Sequence, residues 1–238
     1  MRLVDAVWDT RNLGLTTEEL IIEPSDQTED VRAQLDLMTG QYQVIRVTEP
    51  SANISRLLAE KKFIFSEHLS FWECTLGNLP PNSFSGRLPI VETYPAKNDD
   101  VNLVFHQINS GLFSTDRISK DPDFGAEVAG KRYVNWLKDE IQRGANIYIV
   151  KFRQKPSGFF CLRVTDGNPF VALSGIFPET QIPGIGLSLQ YEIQKKAFDE
   201  GCSKLTTVVS TNNVSAVRAH IASGFLWKGS ETIFTRKS

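Results

Sequence analysis

Cysteine is scarce in this chain. Cys74, Cys161 and Cys202 are the only three in 238 residues, an odd number, far apart, with no C-x-x-C spacing. That argues against a disulfide framework and suits reduced thiols in a cytoplasmic protein. Histidine is as sparse: His68, His106 and His220 are scattered without metal-ligand spacing, so no metal site is expected. Charge of one sign is lacking too. Lys and Arg number 26 against 28 Asp and Glu, a net charge of −2, and Lys61-Lys62 and Lys195-Lys196 are only short pairs. Nucleic-acid affinity comes mainly from clustered Lys and Arg, so no nucleic-acid partner is expected. There is no apolar run long enough to span a bilayer, and the opening Met1 to Asp9 is too short and too interrupted for a signal peptide. No membrane partner is expected. The P-loop string G-x-x-x-x-G-K-[ST] is absent as well.

What is present is ordinary in bulk and specific in places. Hydrophobic residues make up 41% and charged residues 23%, the composition of a soluble globular protein, long enough for one large domain or two small ones. Residues 1–76 alternate: a strand-like run at Glu19 to Glu23, a helix over 28–38 stopped by Gly40, a strand from Tyr42 to Thr48, a helix after Ser51, and a strand from Phe65 to Thr75. This predicts a small α/β domain without a phosphate-binding turn. Residues 77–100 hold Gly77, Pro80-Pro81, Gly86, Pro89 and Pro95, and read as a linker interrupted by a short strand near Leu88 to Glu92. Residues 101–238 form the second domain. A helix spans 126–143, with Tyr133, Trp136, Leu137 and Ile141 on one face and Gly144 at its end. Strands follow at 146–152, 158–165 and 169–177, the last two joined by an Asp166-Gly167-Asn168 hairpin signal. Next come a helix over 187–200, a strand at 205–210, a helix at 214–223, and a terminal hairpin of strands at 225–227 and 231–235.

The junction between the 169–177 strand and the following helix reads Gln181-Ile182-Pro183-Gly184-Ile185-Gly186. Two glycines one residue apart at a helix N-terminus expose backbone N–H groups beside a partial positive charge, which is a phosphate cradle. A dinucleotide fingerprint would need a third glycine where Leu189 stands. An ordinary tight loop would use the same glycines. Further on, Thr211-Asn212-Asn213 leads into Ala216, His220 and Gly224-Phe225.

The succession strand, Q-x-x-G-x-G, helix, strand, N-x-x-A-x-x-x-H-x-x-x-G-F resembles the acyl-CoA-binding core of the Gcn5-related N-acetyltransferases, over roughly Asn146 to Lys237. The resemblance implies a mixed, mostly antiparallel α/β sheet flanked by helices, and acetyl-CoA as the acyl donor. It implies that Gln181, Pro183, Gly184, Ile185, Gly186 and Leu187 hold the pyrophosphate. Ser174, Ile176 and Phe177 on the preceding strand, with Asn213 and Ala216 after it, line the pantetheine and acyl end. Donor contacts are then expected almost wholly from residues beyond 145. The first domain, the segment Asp116-Arg117-Ile118-x-x-Asp121, the Tyr133-x-x-Trp136 helix and Trp8-Asp9 with Gly14 nearby also resemble the dTDP-fucosamine acetyltransferase group, which implies a nucleotide-linked amino sugar as acceptor.

Acyl transfer to an amine needs a neutral amine beside the thioester, donors for the oxyanion and a proton for the thiolate. Many relatives carry a proton-donating Tyr where this chain has His220. Asn213, Ala216 and His220 share one helix face, so His220 is a candidate acid; a structural, hydrogen-bonded His is the alternative. Glu179 is the candidate base, against a solvated turn residue. Arg117 suits a substrate diphosphate, against an ion pair with Asp121 or Asp123. Tyr133 and Trp136 read as core rather than a sugar-stacking platform. Asn213 has an alternative as a helix N-cap. The leading reading is an acetyl-CoA-dependent N-acetyltransferase for a small-molecule amine. Amino acids, peptides or polyamines are the second choice of acceptor, an acidic trench favouring polyamines and a cationic one nucleotide sugars. A non-catalytic acyl-CoA sensor is the third reading. The oligomeric state stays open, a homodimer included.

Overall fold

The computed structural model describes residues 1–77, 88–180 and 182–237. Gln181 and residues 78–87 of the expected 77–100 linker therefore lie outside the described residues. The described elements run β1 (Arg2–Asp5), α1 (Val7–Leu13), β2 (Thr17–Ile22), α2 (Thr28–Leu37), β3 (Tyr42–Val47), α3 (Ala52–Glu60), β4 (Ile64–Thr75), β5 (Glu92–Pro95), α4 (Asn98–Asn109), α5 (Arg117–Lys120), α6 (Gly125–Gln142), β6 (Asn146–Phe152), β7 (Lys155–Thr165), β8 (Asn168–Ile176), α7 (Ile185–Asp199), β9 (Lys204–Ser210), α8 (Val214–Ala222) and β10 (Leu226–Lys237).

Local chemistry accounts for many of the boundaries. Ser51 caps α3 by accepting a hydrogen bond from Ile54 N at 3.2 Å. Asp166 and Gly167 both have positive φ, the conformation a two-residue hairpin turn requires, and they join β7 to β8 with Thr165 opposite Asn168. Strand alternation sorts the core into two layers. Tyr148, Val150, Phe160 and Leu162 pack towards α7. Ile147, Ile149, Phe159 and Cys161 pack on the other face, against α4 and α6.

All ten strands among the described residues lie in one sheet, in the order β1-β2-β3-β10-β4-β9-β8-β7-β6-β5. Pairing is antiparallel except for β2 with β3 and β8 with β9. The expected mixed, mostly antiparallel α/β architecture is thus present. The expected division between 1–76 and 101–238 does not extend to the sheet. The last strand, β10, lies between β3 and β4, and β4 in turn pairs with β9. Helix α1 is tied to α6 by Trp8 against Trp136 and by Asn135 donating to Asn12 at 2.7 Å. The proline-rich stretch breaks local periodicity, but it cannot report pairing between strands more than 130 residues apart.

Three further expectations change. The short strand expected near Leu88 to Glu92 lies at β5, Glu92–Pro95, and the end of the supposed linker is the start of α4. The supposed terminal hairpin is one strand, β10, with a register shift between Trp227 and Gly229. Residues 7–13 form a helix that the sequence reading left unassigned.

One close approach in this frame is testable. A Cβ added at Gly158 of β7 would lie 2.6 Å from the Gly175 carbonyl oxygen and 2.9 Å from Ile176 Cδ1. Backbone cannot yield as a flexible side chain can. Gly158→Ala is expected to destabilise by about 1–3 kcal/mol, the usual overpacking cost. Urea unfolding would show it as a lower midpoint at unchanged slope, and an unaltered midpoint would contradict the packing.

Candidate active site

Strands β8 and β9 meet at a single paired position, Phe170 with Thr206, and no ladder joins them beyond it. The strands part there, and a cleft of about 480 Å³ opens between them. Val171 to Ser174 line one wall and Thr207 to Ser210 the other. From α8, Asn213, Ala216 and His220 face the same space, as do Gln190 and Ile193 of α7.

The glycine turn stands at the head of α7. Gly184 is the N-cap, with φ of 85°, and its carbonyl accepts from Leu187 N and Ser188 N, both at 3.0 Å. Leu88 and Pro89 crowd it: an added Cβ would sit 3.1 Å from Leu88 Cδ2 and 3.2 Å from Pro89 Cδ. Gly186 differs, because a Cβ there would meet nothing within 4 Å. Among the described residues no hydrogen-bond partner is found for its backbone N–H. An uncovered N–H at the positive end of a 15-residue helix fits a phosphate. Gln190, one turn further along the same helix face, already lines the cleft. The turn and the cleft therefore suit two ends of one elongated, phosphate-bearing ligand.

The predicted residues divide. Ser174, Asn213, Ala216, His220 and Arg117 come together around the cleft. Ile185 and Leu187 form the first turn of α7, with Ile185 buried. Pro183 lies beside Leu88 and Pro89 in a separate hollow. Phe177 is buried in the core, and Ile176 packs on the opposite core layer; neither lines the cleft. Glu179 is exposed in the turn after β8, accepts a hydrogen bond from Gln107 at 3.3 Å, and is absent from the cleft wall. It is not placed to act as the base. Asn213 caps α8, its Oδ1 accepting from Ala216 N at 3.1 Å, and it also faces the cleft. The expected helix cap is present, and it coexists with a place on the cleft wall. Tyr133 and Trp136 pack on the core and line the cleft as well.

Arg117 is committed elsewhere. Its Nη2 donates to Asp9 Oδ2 at 2.6 Å and its Nη1 to the Tyr42 hydroxyl at 3.3 Å. Arg132 Nε holds the second Asp9 oxygen at 3.1 Å. Burial pushes the Asp9 carboxyl up, but the two guanidiniums outweigh it and hold the carboxyl below its ordinary value. The expected partners Asp121 and Asp123 are not used: Asp9 lies 108 residues away in sequence. Asp116 caps α5, accepting from Ile118 N at 2.9 Å and Ser119 N at 3.3 Å.

His220 is only 4% exposed, between Trp72 and Phe225. Its Nδ1 lies 2.8 Å from the Ala216 carbonyl oxygen. A carbonyl only accepts, so Nδ1 carries the proton and Nε2 presents a lone pair in the neutral ring. That Nε2 is buried without a partner. Burial pushes the pKa of His220 down, against the raising effect of the Ala216 carbonyl. The neutral form is an acceptor rather than the candidate acid, in keeping with the alternative of a buried, hydrogen-bonded His. The sign for stability follows. An unfolded His titrates near 6.5 and the folded one lower, so the unfolded chain holds the extra proton as pH falls through about 6.5. Stability is expected to drop there in the wild type and to drop less in His220→Gln. Urea midpoints between pH 7.5 and 5.5 would check this, and parallel curves for the two proteins would contradict it.

The sequence reading missed a group of cleft residues from the first 76 positions. Trp8 and Asp9 of α1, Glu19 of β2, Arg46 of β3 and Glu67 of β4 all line it, as does Arg132 of α6. Arg46 Nε donates to Glu231 at 2.8 Å and its Nη1 to Glu19 at 3.4 Å. Only Trp8-Asp9 carried any signal in the sequence. The others are polar residues in strands and a helix, brought together by pairing across the sheet. Among the described residues, no group of three or more His, Cys, Asp or Glu side chains is placed to hold a metal ion, and no helix is long and apolar enough to cross a membrane.

No family model matches the chain, and no curated protein matches it in sequence. Solved structures do match in fold. A functionally unknown conserved protein from Staphylococcus epidermidis superposes with a TM-score of 0.62 at 13% identity, over 93% of this chain and 84% of that one. A GCN5-related N-acetyltransferase from Sphaerobacter thermophilus gives 0.59 at 13% identity, over 88% of this chain and 64% of that one. A GCN5-related glucosamine N-acetyltransferase region in a fungal multi-domain GH3 β-N-acetylglucosaminidase gives 0.60 at 9% identity, over 81% of this chain but only 25% of that one. The chain thus spans less than two thirds of the latter two proteins. Its fold is that of the GCN5-related N-acetyltransferases.

Proposed function

We propose that this chain is an acetyl-CoA-dependent N-acetyltransferase acting on the primary amine of a small acceptor. The observation that carries the reading is the parting of β8 from β9 into a cleft that α7 reaches from its glycine turn. An extended acyl donor needs such a gap, with its phosphates at one end and its thioester at the other. Gly184 and Gly186 would hold the phosphates through backbone N–H groups and the helix dipole. The facing edges of Val171 to Ser174 and Thr207 to Ser210 supply backbone groups that no ladder consumes, and donors of that kind stabilise an oxyanion. The donor supplies an acetyl thioester. The chain's own task is to hold the amine against it, and alignment of that sort contributes up to roughly 7–11 kcal/mol.

The acceptor follows from the cleft's charges. Arg46, Arg117 and Arg132 are each engaged by carboxylates, so none stands ready for a diphosphate. That weighs against the nucleotide-linked sugar that the dTDP-fucosamine resemblance suggests. A cationic amine is favoured, with a free amino sugar or a polyamine as the leading types. The fungal glucosamine N-acetyltransferase region lends the amino sugar some support. The test is thiol release from acetyl-CoA against glucosamine, a nucleotide amino sugar, amino acids and spermidine. Release with an amine well above the rate in water supports the reading. Calorimetric binding of acetyl-CoA without turnover would turn it towards a sensor, and absence of binding would overturn it.

A further inference from the structure

Glu67 is a carboxylate in an unusual position. It is 5% exposed and lines the cleft from β4, one strand away from the parted edge of β9. Its strand pairing places Glu67 and Leu69 on one sheet face, with Ile233 opposite Glu67 and Ser210 opposite Leu69. That brings the carboxylate beside Ser210, at the end of the wall where α8 begins. Among the described residues no ion pair reaches it. Arg117 hydrogen-bonds it through its backbone N–H, at 3.3 Å, while the Arg117 guanidinium bonds Asp9 and reaches Glu67 through its charge alone. A buried carboxylate that no cationic side chain bonds directly gains from a ligand that supplies such a bond.

We propose that Glu67 receives the acceptor: it draws the positively charged amino group of a small amine into the cleft and takes the proton that the amine must lose before it attacks. The proposal rests on the acyl-transfer reading for its second half, but not for its first. The protonated amine gives one proton to the Glu67 carboxylate, which later returns it to solvent. The freed lone pair forms the C–N bond at the thioester carbonyl, the C–S bond breaks with its pair going to sulfur, and the second nitrogen proton ends on the thiolate. The products are an N-acetyl amide and a free thiol. The amide is neutral, so its hold on Glu67 is lost and release follows.

The surrounding charges are consistent with this role. Asp116 and Arg117 face Glu67 from α5, Asp9 stands behind them on α1, Arg132 and Tyr133 on α6, Tyr42 and Arg46 on β3, and Glu231 on β10. His68, next in the strand, is turned to Thr232. Burial pushes the Glu67 carboxyl up and Asp116 adds to it, against the pull of Ser210 and Arg117. A raised carboxyl is a better proton acceptor from an amine than an ordinary one.

The experiment compares amines with their own N-acetyl amides: glucosamine with N-acetylglucosamine, spermidine with N1-acetylspermidine, ethanolamine with N-acetylethanolamine. Binding is read from tryptophan fluorescence, since Trp8 and Trp136 line the cleft. The wild type is expected to prefer at least one amine over its amide by about tenfold, the scale of a charge-assisted hydrogen bond. Glu67→Gln should erase that preference while acetyl-CoA affinity by calorimetry stays unchanged. The acid limb of the pH–rate profile should also vanish with the carboxyl. Should Glu67→Gln fail to melt cooperatively, Glu67→Met carries the same comparison. A preference that survives in the variant, or no amine preferred by the wild type, overturns the proposal. If the wild type prefers an amine but binds no acetyl-CoA, the donor reading alone is lost.

Discussion

Gly186→Glu is expected to abolish acetyl-CoA binding while leaving the fold intact. The two halves of this expectation have separate causes. A Cβ at Gly186 meets nothing within 4 Å, and its φ lies outside the left-handed region. The backbone therefore accepts a side chain there without strain. A carboxylate in the first turn of α7 is even favourable to the helix dipole. Yet that carboxylate enters the space in front of the uncovered Gly186 N–H, where the donor's phosphates would lie. Two like charges about 4 Å apart near a protein surface repel by about 4 kcal/mol, or roughly 10³ in affinity. Gly184 is the poorer probe, since its φ of 85° and its contacts with Leu88 and Pro89 would penalise any side chain through the fold itself. Calorimetry on Gly186→Glu, with its melting curve alongside, separates the two halves. Undiminished affinity in a folded variant would remove the phosphate-cradle assignment and with it the proposed donor.

Asp9→Asn should be the most destabilising single substitution in the cleft. Asp9 is the shared carboxylate of Arg117 and Arg132, and all three side chains are largely buried. Removing the charge leaves the enclosed Arg117 guanidinium its hydrogen bond to the Tyr42 hydroxyl and the more distant charge of Glu67. Breaking a buried pair in this way costs about 3–5 kcal/mol. Replacing both partners by apolar groups is often neutral, so Asp9→Leu with Arg117→Met should recover much of that loss. The wild type carries a pH signature of the same pair. The folded carboxyl titrates below the ordinary value of 3.8, so its stabilisation is present above that value and is lost as pH falls through the lower, folded pKa. Urea midpoints would measure all three effects. A single variant as stable as the wild type would show that the guanidinium finds water or another partner.

Much of the second half was legible because its signals are local. The strands at 146–152 and 205–210 match β6 and β9 to within a residue, since alternation of Ile147, Ile149 and Tyr148, Val150 serves two opposite core layers. The Asp166-Gly167 turn needs positive φ, and its residue types declare it. Asn213, Ala216 and His220 share a helix face by spacing alone, and the structure places all three on the cleft. The role given to His220 was not legible. Its protonation depends on the Ala216 carbonyl and on burial by Trp72 and Phe225, one of which comes from β4, far away in sequence.

Local pattern and turn chemistry, then, determined most of the strands and helices of this protein and its glycine turn. Those features depend on neighbours a few residues apart, and periodicity records them. Tertiary structure alone decided that β10 lies between β3 and β4, that Arg117 pairs with Asp9, and that Glu67 stands at the cleft with no ion pair among the described residues. Strand order and charge pairing are set by contacts between segments more than a hundred residues apart, or by the absence of such contacts. A single sequence holds no periodic trace of them, because any polar residue on a strand satisfies the local pattern equally well.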